Sequence, residues 1–259
     1  MTPRPQAALL LAVAVLLAGC KPDKAVRTAA NIDNPSAPAA PVIDPATASS
    51  LHGTVSFAGI APAPIPIDMS MDPACTLTGG TNLTEQLLVS HNHLANVYVY
   101  IKSGAPSFNA PASAPAVILD QKGCRYIPHV IAVQQGGTVT FRNSDPTMHN
   151  IHMTPTVGAG SSIDISQAPL GAPQTHTFTA PEAMIPVRCN NHPWMSAFIN
   201  VAPNPWFAVT AADGAFQISN LPPGTYTLAA VHEKLGEQDI QITVPPKSNL
   251  QANFTFPAH

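Results

Sequence analysis

Apolar and polar positions alternate with a period of two through most of the chain after residue 50, which predicts strands rather than helices. L-H-G-T-V-S-F-A-G-I, from Leu51, reads as a strand ending at a turn, and N-V-Y-V-Y-I-K (residues 96–102) as a second. The segment between them, with D-P-A-C-T and T-G-G, is loop-rich. Residues 103–115, S-G-A-P-S-F-N-A-P-A-S-A-P, lose the alternation and mark a boundary. A block from Ala116 to about Ala202 then carries short strand signals: V-I-L-D-Q-K-G-C-R-Y, I-A-V and T-V-T-F-R-N, with Gly or Asp at the turns. After Pro203 the pattern resumes in F-A-V-T-A-A-D-G-A-F-Q-I-S-N-L-P-P-G-T-Y-T-L-A-A-V and I-Q-I-T-V. Asp213-Gly214 and Pro222-Pro223-Gly224 supply its turns. The expected class is all-β.

The start of the chain breaks this pattern. Arg4 precedes an apolar run from Ala7 to Leu17, too short to span a bilayer comfortably and shaped like an export signal. The L-A-G-C that follows resembles a bacterial lipobox. That resemblance implies a lipoprotein signal peptide over residues 1–19 and lipidation of Cys20. Lys21 stands where an Asp would signal inner-membrane retention, so the expected location is the periplasmic side of the outer membrane. The rest of residues 20–50 is mainly Ala, Pro, Asp and Ser, a composition that predicts a flexible linker. Such a linker spans roughly 30 Å as a coil.

Composition adds exclusions. Of 259 residues only 10% are charged, with a net charge of -3 and no basic cluster, so nucleic acid is not an expected partner. The 29 prolines favour loops and strands over helices.

The chemistry concentrates in V-R-C-N-N-H-P-W-M-S-A-F-I-N-V, residues 187–201. Cys189, His192 and Met195 place a thiolate, an imidazole and a thioether within seven residues, on a loop where Pro193 forbids regular helix. That soft set suits copper, and trigonal His2Cys coordination with a long axial Met is an electron-transfer arrangement. The best candidate for the second imidazole is His149, upstream in T-V-T-F-R-N-S-D-P-T-M-H-N-I-H-M. On a strand, His149 and Ile151 share one face while Asn150 and His152 share the other, so only one of the two histidines faces a site.

N-x-D-x-x-x-H-N-I followed by C-x-x-H-P-W-M resembles the blue-copper cupredoxins of the plastocyanin and amicyanin kind, the short loop being most similar to amicyanin. The resemblance implies a Greek-key β-sandwich over residues 115–202. It implies one type 1 copper ion on His149, Cys189, His192 and Met195, and it selects His149 over His152. It also implies that Asn150 braces the Cys loop and that His192 can leave the reduced metal. Phe198 and Trp194 are expected to keep water off the site, with plain interface packing as the other reading of Trp194.

A second resemblance lies in D-G-x-F-x-I-x-x-L-P-P-G-x-Y-T-L, which is similar to the carboxypeptidase-regulatory-like, transthyretin-like β-sandwich. The opening strands of such a module are found at Gly53–Phe57 and Val97–Tyr100. The expectation is a discontinuous sandwich of residues 51–102 and 203–257 with the cupredoxin inserted. A layout of three successive pieces also fits the sequence.

With Cys20 given to lipid and Cys189 to copper, Cys75 and Cys124 remain, and an exported protein favours a disulfide between them. Closing a loop of that size stabilises by roughly 4 kcal/mol in the chain-entropy model. Of the other histidines, His91 and His93 are two apart and could share a strand face, with exposed positions as the plainer reading. His129 reads as structural, and His232-Glu233 as solvent-facing.

Three functional classes compete. A mononuclear electron carrier between redox partners, a cytochrome or a dehydrogenase, fits best and is not an enzyme. A copper oxidase, a nitrite reductase or an accessory subunit of a copper or quinoprotein oxidoreductase is the second. The multicopper enzymes need a His beside the Cys ligand, and Arg188 and Asn190 stand there. A copper-binding or delivery protein tends to use Met- and His-rich tracts, whereas the seven Met here are scattered.

Overall fold

The computed structural model describes residues 43–76, 82–106, 109–111, 113–157 and 162–258. The expected signal peptide, Cys20 and most of the expected linker lie outside them. The linker's expected end at residue 50 is too late. Asp44 holds a turn through the N–H of Ala46 (2.8 Å), and Ser49 already opens the first strand.

The first part of the chain gives β1 (Ser49–Ala58), a one-turn helix α1 (Pro73–Thr76), β2 (Val89–Ser90), β3 (His93–Leu94) and β4 (Tyr98–Ser103). The middle gives β5 (Val117–Gln121), β6 (Tyr126–Ile127), β7 (Val130–Gln134), β8 (Thr138–Asn143) and β9 (His149–Met153). It continues with β10 (Ile163–Gln167), β11 (Gln174–Thr177), β12 (Glu182–Arg188) and β13 (Ser196–Ala202). The last part gives β14 (Phe207–Val209), β15 (Ala215–Leu221), β16 (Gly224–His232), β17 (Gly236–Val244), β18 (Asn249–Gln251) and β19 (Phe254–Pro257). The described residues are all-β apart from α1.

The middle strands make two sheets, β10-β9-β12-β13-β7 and β11-β8-β5-β6. Both sheets feed one core, with Leu119, Val139 and Phe141 from one and Ile151, Val187 and Ile199 from the other. The outer parts make two more, β15-β1-β3-β2 with β18 and β19 also on β1, and β14-β4-β16-β17. Leu51, Val55 and Phe57 of β1 meet Ile101 of β4 and Leu228 of β16 in a second core. β1 alternates buried and half-buried positions along most of its length, the period its sequence predicts.

One segment of the first part crosses over. Between β1 and β2, Ile65 and Ile67 pair with Asn82 and Thr84 through backbone bonds of 2.8–2.9 Å. Beyond that pairing, Met69 and Cys75 are buried in the core of the middle block, while Ala61 and Leu87 pack on the other core. Cys75 on α1 is bridged to Cys124, with 5.5 Å between the Cα atoms.

Several expectations about side chains need correction. His91 sits at positive φ with Asn92 in the turn joining β2 to β3, so it shares no strand face with His93. His232 and the Glu233 carboxylate are buried rather than solvent-facing. Sequence spacing hides this because Glu233 pairs with His129, 104 residues away.

Candidate metal centre

The Cys loop closes by a turn that its own residues dictate. Pro193 presets the backbone after His192, and the N–H of Met195 donates to the His192 carbonyl at 2.9 Å. β12 delivers Cys189 beside β9, where Arg188 pairs with His152, and β9 presents His149 inward. His149, Cys189 and His192 form a buried group whose ligand atoms lie within 4.8 Å of one another. The two Nδ1 atoms are 2.9 Å apart, and the Cys189 Sγ is 3.9 Å from that of His149 and 3.5 Å from that of His192. Met195 is buried in the same core.

The surroundings prepare these atoms for a cation. Burial pushes the Cys189 thiol up. Bonds from His149, the Asn150 N–H, His192 and the Asn191 N–H together outweigh that and bring it down to about 6. The thiol is therefore largely thiolate at neutral pH, the form that binds metals. Asn150 N–H lies 3.3 Å from Sγ.

Each histidine turns its outer nitrogen to a carboxylate. His149 Nε2 meets Asp145 Oδ2 at 2.9 Å, and His192 Nε2 meets Asp72 Oδ2 at 3.0 Å. Such pairing fixes the tautomer that leaves Nδ1 free as a donor. Asp145 also accepts the N–H groups of Gly123 (2.7 Å) and Cys124 (2.8 Å), both at positive φ in the turn joining β5 to β6. Burial pushes the Asp145 carboxyl up, but His149 and these two N–H groups hold it below the usual range. Bonds from Thr147 and His192 do the same for Asp72. Asn143 orders the loop between β8 and β9, donating to the Thr147 and Ala168 carbonyls at 2.9 Å while its Oδ1 accepts the Asp145 N–H.

His152 lies outside this group, on the opposite face, bonded to Asn190 Oδ1 and Ser162 Oγ at 2.8 Å. The Asn150 side chain does not reach the Cys loop directly. It donates to Asp164 and Ser166 on β10, and Asp164 in turn accepts from Asn190. Trp194 packs near His192, with ring centroids 5.1 Å apart, and donates to the Cys124 carbonyl. Phe198 instead meets His129 edge-on, because strand alternation turns it away from the core that takes Ala197 and Ile199.

The motif N-x-D contains Asp145, yet only the fold shows its bond to His149. Asp72 carries no sequence signal for a role here. Two further groups of ligand atoms, Cys75–Cys124–His192 and Cys124–Asp145–His149, involve cysteines that are bonded to each other and so offer no thiolate.

Over two fifths of its length the chain is similar to amicyanin. A Cu(I) methionine-to-alanine mutant of amicyanin is 24% identical, covering 40% of this chain and 97% of that one, with a TM-score of 0.31. The reduced state of a proline-to-phenylalanine mutant of amicyanin is 26% identical with the same coverage and TM-score. A copper-containing nitrite reductase from Thermus scotoductus SA-01 is 20% identical over 38% of this chain and 25% of its own, also at 0.31. No family model matches the chain, and no curated protein matches it.

Proposed function

We propose that this protein is a type 1 copper electron carrier. The observation that carries the reading is the buried meeting of the Cys189 Sγ with the Nδ1 atoms of His149 and His192. The set fits copper, a thiolate with two imidazoles being soft enough to hold either oxidation state. Bound there, copper supplies a one-electron couple. The chain's own part is to hold the three donors in place through Asp145, Asp72 and the Asn150 N–H, so that little has to move when an electron arrives or leaves. Met195 completes the set as the weak axial donor. Burial of the site favours retention of the ion over delivery to another protein. Redox partners of the cytochrome or dehydrogenase class fit this role.

The test is spectroscopic. The copper-loaded full chain is expected to show an intense thiolate-to-copper charge-transfer band, and Cys189→Ser to abolish it. A colourless oxidised protein with copper confirmed bound overturns the reading.

The carrier's proposed place is the periplasmic face of the outer membrane, with Cys20 acylated and the linker ahead of β1 as tether. Acyl chains supply the attachment, so Cys20→Ser is expected to leave the membrane fraction or remain an unprocessed precursor. A processed Cys20→Ser protein that still sediments with membranes excludes this anchor. The carboxypeptidase-regulatory-like module is the proposed identity of the sandwich built from the outer parts of the chain.

A further inference from the structure

His192 stands on a turn, and a ligand so placed would keep freedom to swing unless something held it. Its Nδ1 faces Cys189 and His149, and its other nitrogen meets Asp72. Asp72 comes from neither ligand-bearing loop. It sits in the crossing segment, residues 59–76, as the residue before α1, and its Oδ1 caps the helix through the Ala74 N–H at 2.8 Å. The same Oδ2 that meets His192 accepts the Thr147 hydroxyl at 2.7 Å, two residues before His149. One carboxylate oxygen thus joins both ligand-bearing loops from outside.

The segment is fastened. Three residues after Asp72, Cys75 is bonded to Cys124. Cys124 donates its N–H to Asp145, the acceptor of His149, and its carbonyl accepts the Trp194 indole. With the segment in place, His192 is only 3% exposed.

We propose that Asp72 is the positioning residue for His192, and that residues 59–76 form a strap, pinned at Cys75–Cys124, which holds this imidazole by its outer nitrogen. The inference rests on the copper reading above. A carboxylate accepting Nε2–H keeps the Nδ1 lone pair aimed at the metal and strengthens it as a donor. The detachable His192 that the sequence resemblance implies is held in place here.

The experiment uses the copper-loaded full chain, with Asp72→Asn and Asp72→Ala as variants and Asp68→Asn as a control that removes an exposed charge from the same segment and leaves the His192 contact intact. Two quantities are measured: the rate at which a bathocuproine chelator removes Cu(I), and the reduction potential. Losing such an outer partner costs about 10- to 100-fold in metal affinity. Asp72→Ala is therefore expected to release copper at least about tenfold faster. Asp72→Asn keeps the size but weakens the acceptor. It is expected to shift the preference between the two copper states by up to about tenfold toward Cu(I), a rise of about 59 mV for one electron. Asp68→Asn is expected to stay near wild type in both quantities.

If both Asp72 variants keep the wild-type release rate and potential, the inference is wrong while the copper reading stands. Equal effects from Asp68→Asn would show a general loss of charge rather than positioning and would also overturn it. A colourless wild type removes the copper reading and the inference together. Should Asp72→Ala fail to fold, the potential of Asp72→Asn decides.

Discussion

Met195 is the residue whose role is sharpest to test, because a thioether at this position tunes rather than holds. The thiolate and the two imidazoles carry most of the binding, and the axial sulfur is long and weak. Met195→Gln is expected to keep copper and colour while lowering the reduction potential, since a harder oxygen donor favours the oxidised ion. Met195→Leu is expected to raise it, because an apolar side chain withdraws donation and dries the site. Voltammetry of the two variants checks both signs, and loss of copper from Met195→Leu would make Met195 a core residue instead. The loop carrying Cys189, His192 and Met195 is legible in the sequence because its donors are close together and a proline shapes the turn. His149 is legible through the H-N-I match once strand alternation leaves only one of the two histidines facing a site, and the fold buries it and leaves His152 half-exposed. The carboxylates are not. Asp72 lies 120 residues from His192, and nothing in its neighbours marks it as an acceptor.

At the scale of single elements, strands with one buried face are readable and short or crossing pieces are not. β1 and β8 carry strict alternation, so their cores could be named from the sequence. α1 and the two-residue strands β2 and β3 are set by tertiary contacts, and no periodicity of their own announces them. The end of β16 shows the energetic side of a misread position. His232 is 2% exposed, its Nδ1 accepts the Lys234 N–H at 3.2 Å, and its Nε2 has no hydrogen-bond partner among the described residues. Burial drives its pKa down to about 4, against opposition from Glu233. The unfolded chain, with an ordinary histidine near 6.5, therefore binds a proton that the folded chain refuses between those two values. His232 leaves stability intact above about pH 6.5 and withdraws about 3 kcal/mol as pH falls to about 4. Denaturant unfolding of His232→Leu across that window is expected to show a slope shallower by one proton, and an unchanged slope would refute the assignment.

On the scale of the whole molecule, the two cores are joined by a third, smaller contact. Tyr98 and Val231 from the outer strands meet Ala202 from the middle block, with Ala132, Met184 and Phe207 packed around them. Beside it His129 pairs with Glu233, both side chains 5% exposed, and Arg125 pairs with Glu85 at 2.8 Å. Removing one partner of a buried pair strands the other, at a cost of about 3–5 kcal/mol. Glu233→Ala is expected to lose stability on that scale in urea titrations without changing the copper band, and a loss below about 1 kcal/mol would mean that water repairs the gap. The pairing of β1 has a different kind of consequence, in the order of biosynthesis. Ser49 pairs with Leu221, Ser50 with Asn249 and Val55 with Phe254. Synthesis from the amino end delivers every strand of the middle block before β15, β18 or β19 emerges. The middle block can therefore finish folding while β1, with only β3 beside it, still waits for its other neighbours. During that interval Leu51, Val55 and Phe57 form an open edge, and a nascent chain cut short before residue 249 never closes it.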